Sequence, residues 1–237
     1  MIALDAATGK TVWQCKELKD GAGYSSIMVA RIGGVNQYVQ QTMEHGVGVR
    51  AKDGKKLWEV GAIKRSTAVI PTPVLQGDLV FFTAGYNAGC ECFKLEKDGA
   101  DGTKATKLYS NPTITNHHGG VIGFGKSIFG YSDAGGQWVC LDTQSGDLVW
   151  KDKGVGKGSV SFADGYFYCY SEGSGTLARV KASEKAYEEN GKFTIPKTSS
   201  LRPKQGKIWP HPVIAQGKLF LRDYELLFVF DLQGPPS

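Results

Sequence analysis

The sequence has few of the residues that usually build metal or redox centres. It contains 4 histidines and 5 cysteines in 237 residues, and no two cysteines form a CxxC pair. The spacings of zinc ribbons and thioredoxin-like motifs are therefore absent. Cys90 and Cys92 would share one face of a strand, and Cys140 and Cys169 lie in apolar alternating runs. We expect the cysteines to be small buried hydrophobic residues rather than ligands.

Long apolar segments are also lacking. No stretch approaches the roughly 20 apolar residues that cross a bilayer, and Met1 is followed by Ile2-Ala3-Leu4-Asp5 rather than by a basic and then hydrophobic leader. The sequence as it stands predicts no transmembrane segment and no signal peptide. The net charge is +5, but the lysines are scattered among acidic residues, so a nucleic-acid partner is not expected.

In place of such motifs, one local pattern recurs along the chain. A strand, a tight glycine turn and a second strand that ends in tryptophan follow one another in three segments, at 3–13, 49–58 and 140–150. Trp13 and Trp58 are 45 residues apart, and Trp58 and Trp150 are 92 apart. The second interval therefore spans about two units of the repeat, and Tyr109 stands at the tryptophan position of the unit between them.

Each of these hairpins is preceded by two more short apolar runs, which makes four strands in about 45 residues. Only the short segment Glu184–Asn190 has a period near that of a helix. Because a lone four-stranded blade cannot bury both faces, neighbouring blades must stack. The sequence therefore predicts an all-β chain of antiparallel, four-stranded β-propeller blades. We expect blades at about 24–61, 66–111, 112–152 and 155–196, with blade remnants at 2–14 and 208–232.

The aromatic residue of each unit has a structural explanation. An indole on the outermost strand can pack against the adjacent blade, while its N–H group needs a polar partner. We therefore predict that Trp13, Trp58, Tyr109 and Trp150 are structural docking residues.

The first hairpin carries a family resemblance. Residues 3–13 match every specified position of the tryptophan-docking motif of quinoprotein dehydrogenases, Ala-x-Asp-x-x-Thr-Gly-Lys-x-x-Trp, and the other two copies are degenerate. Over residues 2–232 the chain resembles bacterial quinoprotein-like (PQQ-like) β-propeller repeat proteins, a group often described as outer-membrane assembly lipoprotein-like or alcohol-dehydrogenase-like. The resemblance implies a periplasmic or otherwise extracytoplasmic location.

The two blade remnants bear on how much of a propeller the chain contains. Residues 2–14 supply two strands and residues 208–232 supply three, whereas proteins that the chain resembles usually have about seven or eight blades. We therefore expect residues 1–237 to be a single partial propeller domain, a fragment that lacks an N-terminal part and any export signal. The alternative is a small closed ring of five blades.

The segment Gly120–Ser127 matches the spacing of a Walker A phosphate-binding loop. That loop works only where a strand leads into it and a helix begins at its Lys-Ser pair. Here Ile128–Tyr131 continues as a strand, so we predict a turn between the first two strands of a blade and no nucleotide site.

Propellers usually bind ligands at the channel mouth, on the loops that lead into the innermost strands. The repeat register places seven candidate ligand-binding residues on such loops: Ser25, Thr72, Asn116, His117, His118, Lys157 and His211. Neighbouring residues in a strand point to opposite faces, so only one of His117 and His118 is expected to face the channel. His118 and His211 are candidates to hold a ligand or a metal, with hydrogen bonds to the backbone as the alternative.

The resemblance also raises a catalytic alternative. A dehydrogenase that uses pyrroloquinoline quinone (PQQ) needs calcium ligands, an aspartate base, an indole beneath the quinone and a pair of adjacent cysteines. The chain has no adjacent cysteines and no acidic residue at the seven loop positions. We therefore expect a non-catalytic, extracytoplasmic binding or scaffold module without a cofactor, whose partner is a small ligand or a protein. A fragment of a PQQ- and calcium-dependent alcohol or sugar dehydrogenase stays the alternative.

Overall fold

The computed structural model describes residues 1–61 and 69–233. Within these ranges the chain forms 21 β-strands in six antiparallel sheets and no α-helix, so no helix there could cross a membrane. The all-β, antiparallel class expected from the repeats is confirmed. The first residues of the predicted blade 66–111, at 66–68, lie outside the described residues.

The chain divides into two compact units. The first comprises Met1–His117 with Thr143–Gly146, and the second comprises His118–Asp142 with Asp147–Ser237. Each unit is described below by itself.

The first unit contains one two-stranded and two four-stranded sheets. The strands of the first sheet are β1 (Ile2–Leu4) and β2 (Thr11–Gln14). Those of the second are β3 (Met28–Ile32), β4 (Val35–Gln41), β5 (His45–Arg50) and β6 (Lys56–Gly61). Those of the third are β7 (Val74–Gln76), β8 (Leu79–Ala84), β9 (Gly89–Asp98) and β10 (Gly102–Asn111).

The second unit contains two four-stranded sheets and one three-stranded sheet. The strands of the first are β11 (Val121–Phe124), β12 (Ser127–Ser132), β13 (Gln137–Asp142) and β14 (Leu148–Asp152). Those of the second are β15 (Gly158–Ala163), β16 (Tyr166–Ser171), β17 (Thr176–Lys181) and β18 (Glu188–Thr194). Those of the third are β19 (Val213–Ala215), β20 (Lys218–Asp223) and β21 (Leu226–Asp231).

Every sheet is a simple meander in which each strand pairs with the next along the chain. The Walker-like segment illustrates the tight connections. Phe124 of β11 pairs directly with Ser127 of β12, and Gly125 between them has a φ of 57°, which glycine adopts without strain. The Gly-Lys-Ser stretch is therefore a strand-to-strand turn, as predicted, and no helix follows it.

The repeated hairpins share one irregularity. In each, the register shifts next to the aromatic position, so that the outer strand bulges there. The resulting cross-strand pairs are Trp13 with Ala3, Trp58 with Gly48, Trp150 with Cys140 and Tyr109 with Cys92. The four aromatic residues thus lie at the same place in their hairpins.

Two of the aromatic rings in the first unit cover turn glycines of another hairpin. A Cβ added at Gly54 would lie 2.5 Å from the Trp13 ring, and one at Gly146 would lie 2.7 Å from the Tyr109 ring. The Trp13 indole also donates to the Ala51 carbonyl at 3.0 Å. Glycine is required at both turns, because its φ is 76° in each and a ring occupies the space of a side chain.

Trp58 makes a different contact. Its indole donates to Gln37 Oε1 at 2.8 Å within its own sheet, and a Cβ added at Gly48 would lie 2.2 Å from the indole ring. Because Gly48 has no side chain, the ring can lie close to its own sheet, and Trp58 also belongs to the apolar cluster that includes Phe82 and Phe93 of the third sheet. Trp150 in the second unit donates to the Ser183 carbonyl at 3.1 Å.

The five cysteines are buried free thiols. Burial raises the pKa of the Cys90 and Cys140 thiols to about 11, so both stay protonated at neutral pH. The expectation that the cysteines serve as small buried hydrophobic residues is confirmed.

Stacked rings join the first two sheets of the second unit. Phe129 of β12 stacks on Trp138 of β13 at 5.5 Å and on Phe167 of β16 at 4.1 Å, both nearly parallel. Trp138 is fully buried. A further apolar cluster, which includes Tyr170, Leu219 and Leu221, joins the second and third sheets. Face-to-face packing thus buries both faces of the middle sheet.

Tyr170 lies in this cluster, and its buried hydroxyl has no hydrogen-bond partner among the described residues. Burial raises its pKa to about 12, and Asp223 adds to the rise. The unfolded tyrosine titrates near pH 10, so the native state retains a proton that the unfolded state loses. The contribution of Tyr170 to the free energy of unfolding is therefore fully present below about pH 10, and it is lost as the pH rises towards 12.

We expect Tyr170→Phe to be neutral or to stabilise the protein by up to about 1 kcal/mol at pH 7, because it removes an unsatisfied buried hydroxyl. The variant should also lose less stability between about pH 10 and 12. Thermal melts of both proteins at neutral and alkaline pH measure the difference. A variant that melts well below the parent at pH 7, or that declines identically in alkali, would contradict this assignment.

Candidate functional site

The predicted residues of the first unit fasten the loops that lead into the sheets. Ser25 Oγ donates to the Gln41 carbonyl at 2.7 Å, and Thr72 Oγ1 accepts from the Ser26 amide at 3.1 Å. The backbone N–H of Asn116 donates to Thr83 Oγ1 at 3.2 Å. Ser25 and Asn116 are buried. These contacts hold loop backbones in place.

His117 also belongs to the first unit. Its ring lies edge-on to Tyr86, with 4.9 Å between the ring centroids. A Cβ added at Gly85 would lie 3.0 Å from His117 Cα, so the two backbones approach closely.

The second unit pairs two of the predicted residues with carboxylates. His118 Nε2 lies 2.7 Å from Glu172 Oε2, and both side chains are largely buried. Lys157 Nζ lies 2.8 Å from Asp133 Oδ1. The two pairs are adjacent, because the Glu172 amide donates to the Lys157 carbonyl at 2.9 Å.

His211 meets His118 through the backbone rather than ring to ring. Its Nε2 lies 3.1 Å from the His118 carbonyl oxygen, and its Nδ1 lies 3.2 Å from the Val160 carbonyl oxygen. A Cβ added at Gly120 would lie 2.9 Å from the imidazole. The geometry is that of backbone hydrogen bonding, given above as the alternative to metal binding. Ligand binding by the seven loop residues stays a prediction.

Trp209 was not among the predicted residues, and it is the most prominent aromatic group here. Its ring centroid lies 5.3 Å from that of His118, yet the residue is 58% exposed. The preceding residue, Ile208, is buried, and its amide donates to the Glu172 carbonyl at 2.9 Å. The Pro210 carbonyl accepts from Ser159 Oγ at 3.0 Å. Trp209 is thus held outward by anchors on both sides.

We refer to His118, Lys157, Glu172, Trp209 and His211 as the Trp209 surface. All five belong to the second unit. They come from the loops that lead into β11, β15 and β19 and from the turn after β16.

The sequence analysis missed the carboxylates of Asp133 and Glu172, because these residues do not lie on the loops that lead into the sheets. Asp133 and Glu172 follow the second strand of their sheets, in the repeated tripeptides 131–133 and 170–172, each Tyr-Ser-acid. This repeated tripeptide could have identified both carboxylates from the sequence alone.

Tyr131, in the first of these tripeptides, titrates differently from a free tyrosine. Burial raises the pKa of Tyr131, and the negative charges of Asp133 and Glu172 raise it further.

The Trp209 surface does not fit PQQ and calcium. Calcium is held by several oxygen ligands, usually including free carboxylates. At this surface Glu172 is engaged by His118 and Asp133 by Lys157. The two cysteines that lie closest together in the sequence, Cys90 and Cys92, are buried and not adjacent.

Comparison with known structures supports the fold. The crystal structure of BamB from Moraxella catarrhalis superposes with a TM-score of 0.64 at 9% identity, covering 96% of this chain and 65% of that protein. The computationally designed protein Ika8 gives 0.59 at 12% identity, covering 95% and 63%. Hsv2 of Kluyveromyces lactis gives 0.57 at 13% identity, covering 92% and 69%. The chain thus spans less than two thirds of the Moraxella protein.

At the level of sequence, no curated protein matches the chain. A family model does match, over residues 1–152, which include the complete tryptophan-docking motif and its second and third copies. Its description is outer membrane protein assembly factor BamB. With the repeated four-stranded sheets, this match shows that the chain belongs to the BamB-like family of PQQ-like β-propeller repeat proteins.

Proposed function

We propose that the chain is an extracytoplasmic binding and scaffold module that receives a polypeptide partner on the Trp209 surface. The family description names an assembly factor for outer membrane proteins, and such a factor works outside the cytoplasm. The same description favours a protein over a small ligand as the partner.

The exposed indole of Trp209 carries this proposal. Tryptophan is among the residues most enriched at binding hot spots, because it adds a large contact area with few rotatable bonds. Here the indole is 58% exposed, and the buried Ile208 and the Ser159–Pro210 hydrogen bond fix the backbone on either side of it. Little backbone conformational entropy therefore remains to be lost at Trp209 when a partner covers the ring.

The groups around the indole suit a protein interface. His118 with Glu172 and Lys157 with Asp133 form closed polar pairs, like the polar rim around an apolar anchor. Small-molecule sites are concave and enclose most of their ligand, whereas Trp209 projects outward. A phosphate would need an uncompensated cation, and Lys157 already faces Asp133 at 2.8 Å.

Trp209→Ala tests the proposal. We expect at least about a 25-fold loss of affinity for an unfolded outer membrane β-barrel protein, diluted from urea and immobilised for biolayer interferometry. Because the indole is largely exposed, the melting temperature should barely change. The matched control is Tyr24→Ala, which removes an aromatic ring 74% exposed in the first unit and should leave binding intact. Equal affinities for parent and Trp209→Ala would contradict the proposal.

The dehydrogenase alternative is tested on the same protein. With added PQQ and calcium, the chain is expected to support no dye-linked oxidation of alcohols or sugars. Turnover above that of the free cofactor would overturn the assignment as a binding module and would favour the dehydrogenase.

A further inference from the structure

A cluster of potential metal ligands lies in the first unit. Asp20, Glu44 and His45 each offer one ligand atom, and these atoms all lie within 4.8 Å of one another. Asp20 belongs to the connection between β2 and β3, whereas Glu44 and His45 belong to the turn between β4 and β5 and the start of β5. None of the three was singled out by the repeat pattern.

The two segments are held together before any ion binds. Asp20 Oδ2 accepts from Thr42 Oγ1 at 2.6 Å and lies 2.8 Å from His45 Nδ1. The Met43 amide donates to the Gly21 carbonyl at 3.0 Å. Burial raises the pKa of Asp20, but the hydrogen bonds from Thr42 and His45 outweigh that effect and lower it overall. The carboxylate is therefore ionised at neutral pH.

A separate observation points to a missing electropositive partner. Gln41, Thr42, Glu44 and His45 line a cavity of about 10 Å³, which is enough for one water-sized group. Gln41 is only 4% exposed, and its Oε1 accepts no hydrogen bond among the described residues. A buried amide oxygen without a donor is costly, and a cation beside it would remove that cost.

We propose that Asp20, Glu44 and His45 bind a divalent transition-metal ion of the Zn²⁺ class, with Gln41 Oε1 as a further oxygen ligand. Imidazole combined with carboxylates suits Zn²⁺, whereas Ca²⁺ and Mg²⁺ prefer oxygen ligands alone. His45 Nδ1 faces Asp20, and Nε2 lies 4.0 Å from Glu59 Oε1. At that distance Glu59 does not hydrogen-bond to the ring, but it lies beside the nitrogen that faces away from Asp20.

The ion would join the connection between β2 and β3 to the turn between β4 and β5. The ion would take the place of the direct contact between His45 Nδ1 and Asp20 Oδ2, because both atoms would then face the ion. Binding to the folded state alone raises the melting temperature with metal concentration. The site is therefore structural in character and independent of the Trp209 surface.

The test is titration of the full chain, first treated with a chelator, with Zn²⁺ and Co²⁺. We expect one ion per chain, a higher melting temperature with Zn²⁺, and visible absorption bands when Co²⁺ binds. Glu44→Gln and His45→Gln should each weaken binding at least about 100-fold, more than the loss of a neighbouring carboxylate such as Glu59. Because Glu44 is exposed, its replacement separates ligand loss from misfolding.

Asp98→Asn, which changes an exposed carboxylate at the end of β9, is the matched control and should bind normally. The proposal is overturned if no saturable one-to-one binding occurs, if Ca²⁺ binds in preference to Zn²⁺, or if the parent, Glu44→Gln and His45→Gln bind equally well.

Discussion

Trp138→Ala is expected to lower the free energy of unfolding by about 3 to 5 kcal/mol, the range for a large aromatic side chain removed from a core. Trp138 is fully buried, stacks on Phe129 and meets Tyr131 edge-on. Phe129 stacks in turn on Phe167 of the neighbouring sheet. The cavity would therefore open where the first two sheets of the second unit are joined.

Trp150→Ala is the matched comparison, because it removes the same side chain from the neighbouring strand. Trp150 is only partly buried, although it donates to the Ser183 carbonyl. We expect its loss to cost clearly less, about 1 to 2 kcal/mol. Urea unfolding monitored by circular dichroism measures both values. A smaller effect for Trp138→Ala than for Trp150→Ala would contradict the assignment of the core.

Gly158→Ala is expected to destabilise the second unit by about 3 kcal/mol or more. A Cβ at this position would lie 1.8 Å from the Tyr170 carbonyl oxygen, a backbone atom that cannot move without disturbing the pairing of β15 with β16. Overpacking of this kind usually costs about 1 to 3 kcal/mol when side chains can yield. At Gly158 the obstacle is a backbone carbonyl, which cannot yield. The loss in free energy of unfolding should therefore lie at the upper end of that range or above it.

The control for this substitution lies nearby in the same unit. Gly173 does not adopt a left-handed conformation, and a Cβ there would meet nothing within 4 Å. Gly173→Ala should therefore change the stability by no more than about 0.5 kcal/mol. Thermal melts compare the two variants, and Gly158→Ala should melt at a clearly lower temperature than Gly173→Ala. Equal melting temperatures would show that the close approach at Gly158 is absent in solution.

The strands were predictable because their signals are local. An apolar run, a turn glycine with positive φ and a second run ending in an aromatic residue lie within about a dozen residues, and each step has its own physical cause. Because this hairpin pattern recurs at a nearly constant interval, it predicts repeated four-stranded blades more securely than a single copy could. The same reasoning identified the turn at Gly125, because a strand and not a helix follows it.

The contacts of the site were less predictable because they join distant residues. His118 and Glu172 are separated by 54 positions, and only the packing of two sheets brings them together. The outward indole of Trp209 depends on the burial of Ile208, which a proline-rich stretch does not reveal. Trp58 looked equivalent to Trp13 in sequence, yet its indole donates to Gln37 of its own sheet, whereas that of Trp13 donates to Ala51 of another hairpin.

The central claim is that a polypeptide partner covers the Trp209 surface, and hydrogen exchange with mass spectrometry tests it most directly. The chain should be compared alone and with an unfolded outer membrane β-barrel protein. We predict slower exchange in the segments around His118, Lys157, Glu172 and Trp209, and loss of that protection in Trp209→Ala. Protection confined to other segments, or protection that persists in Trp209→Ala, would contradict the claim.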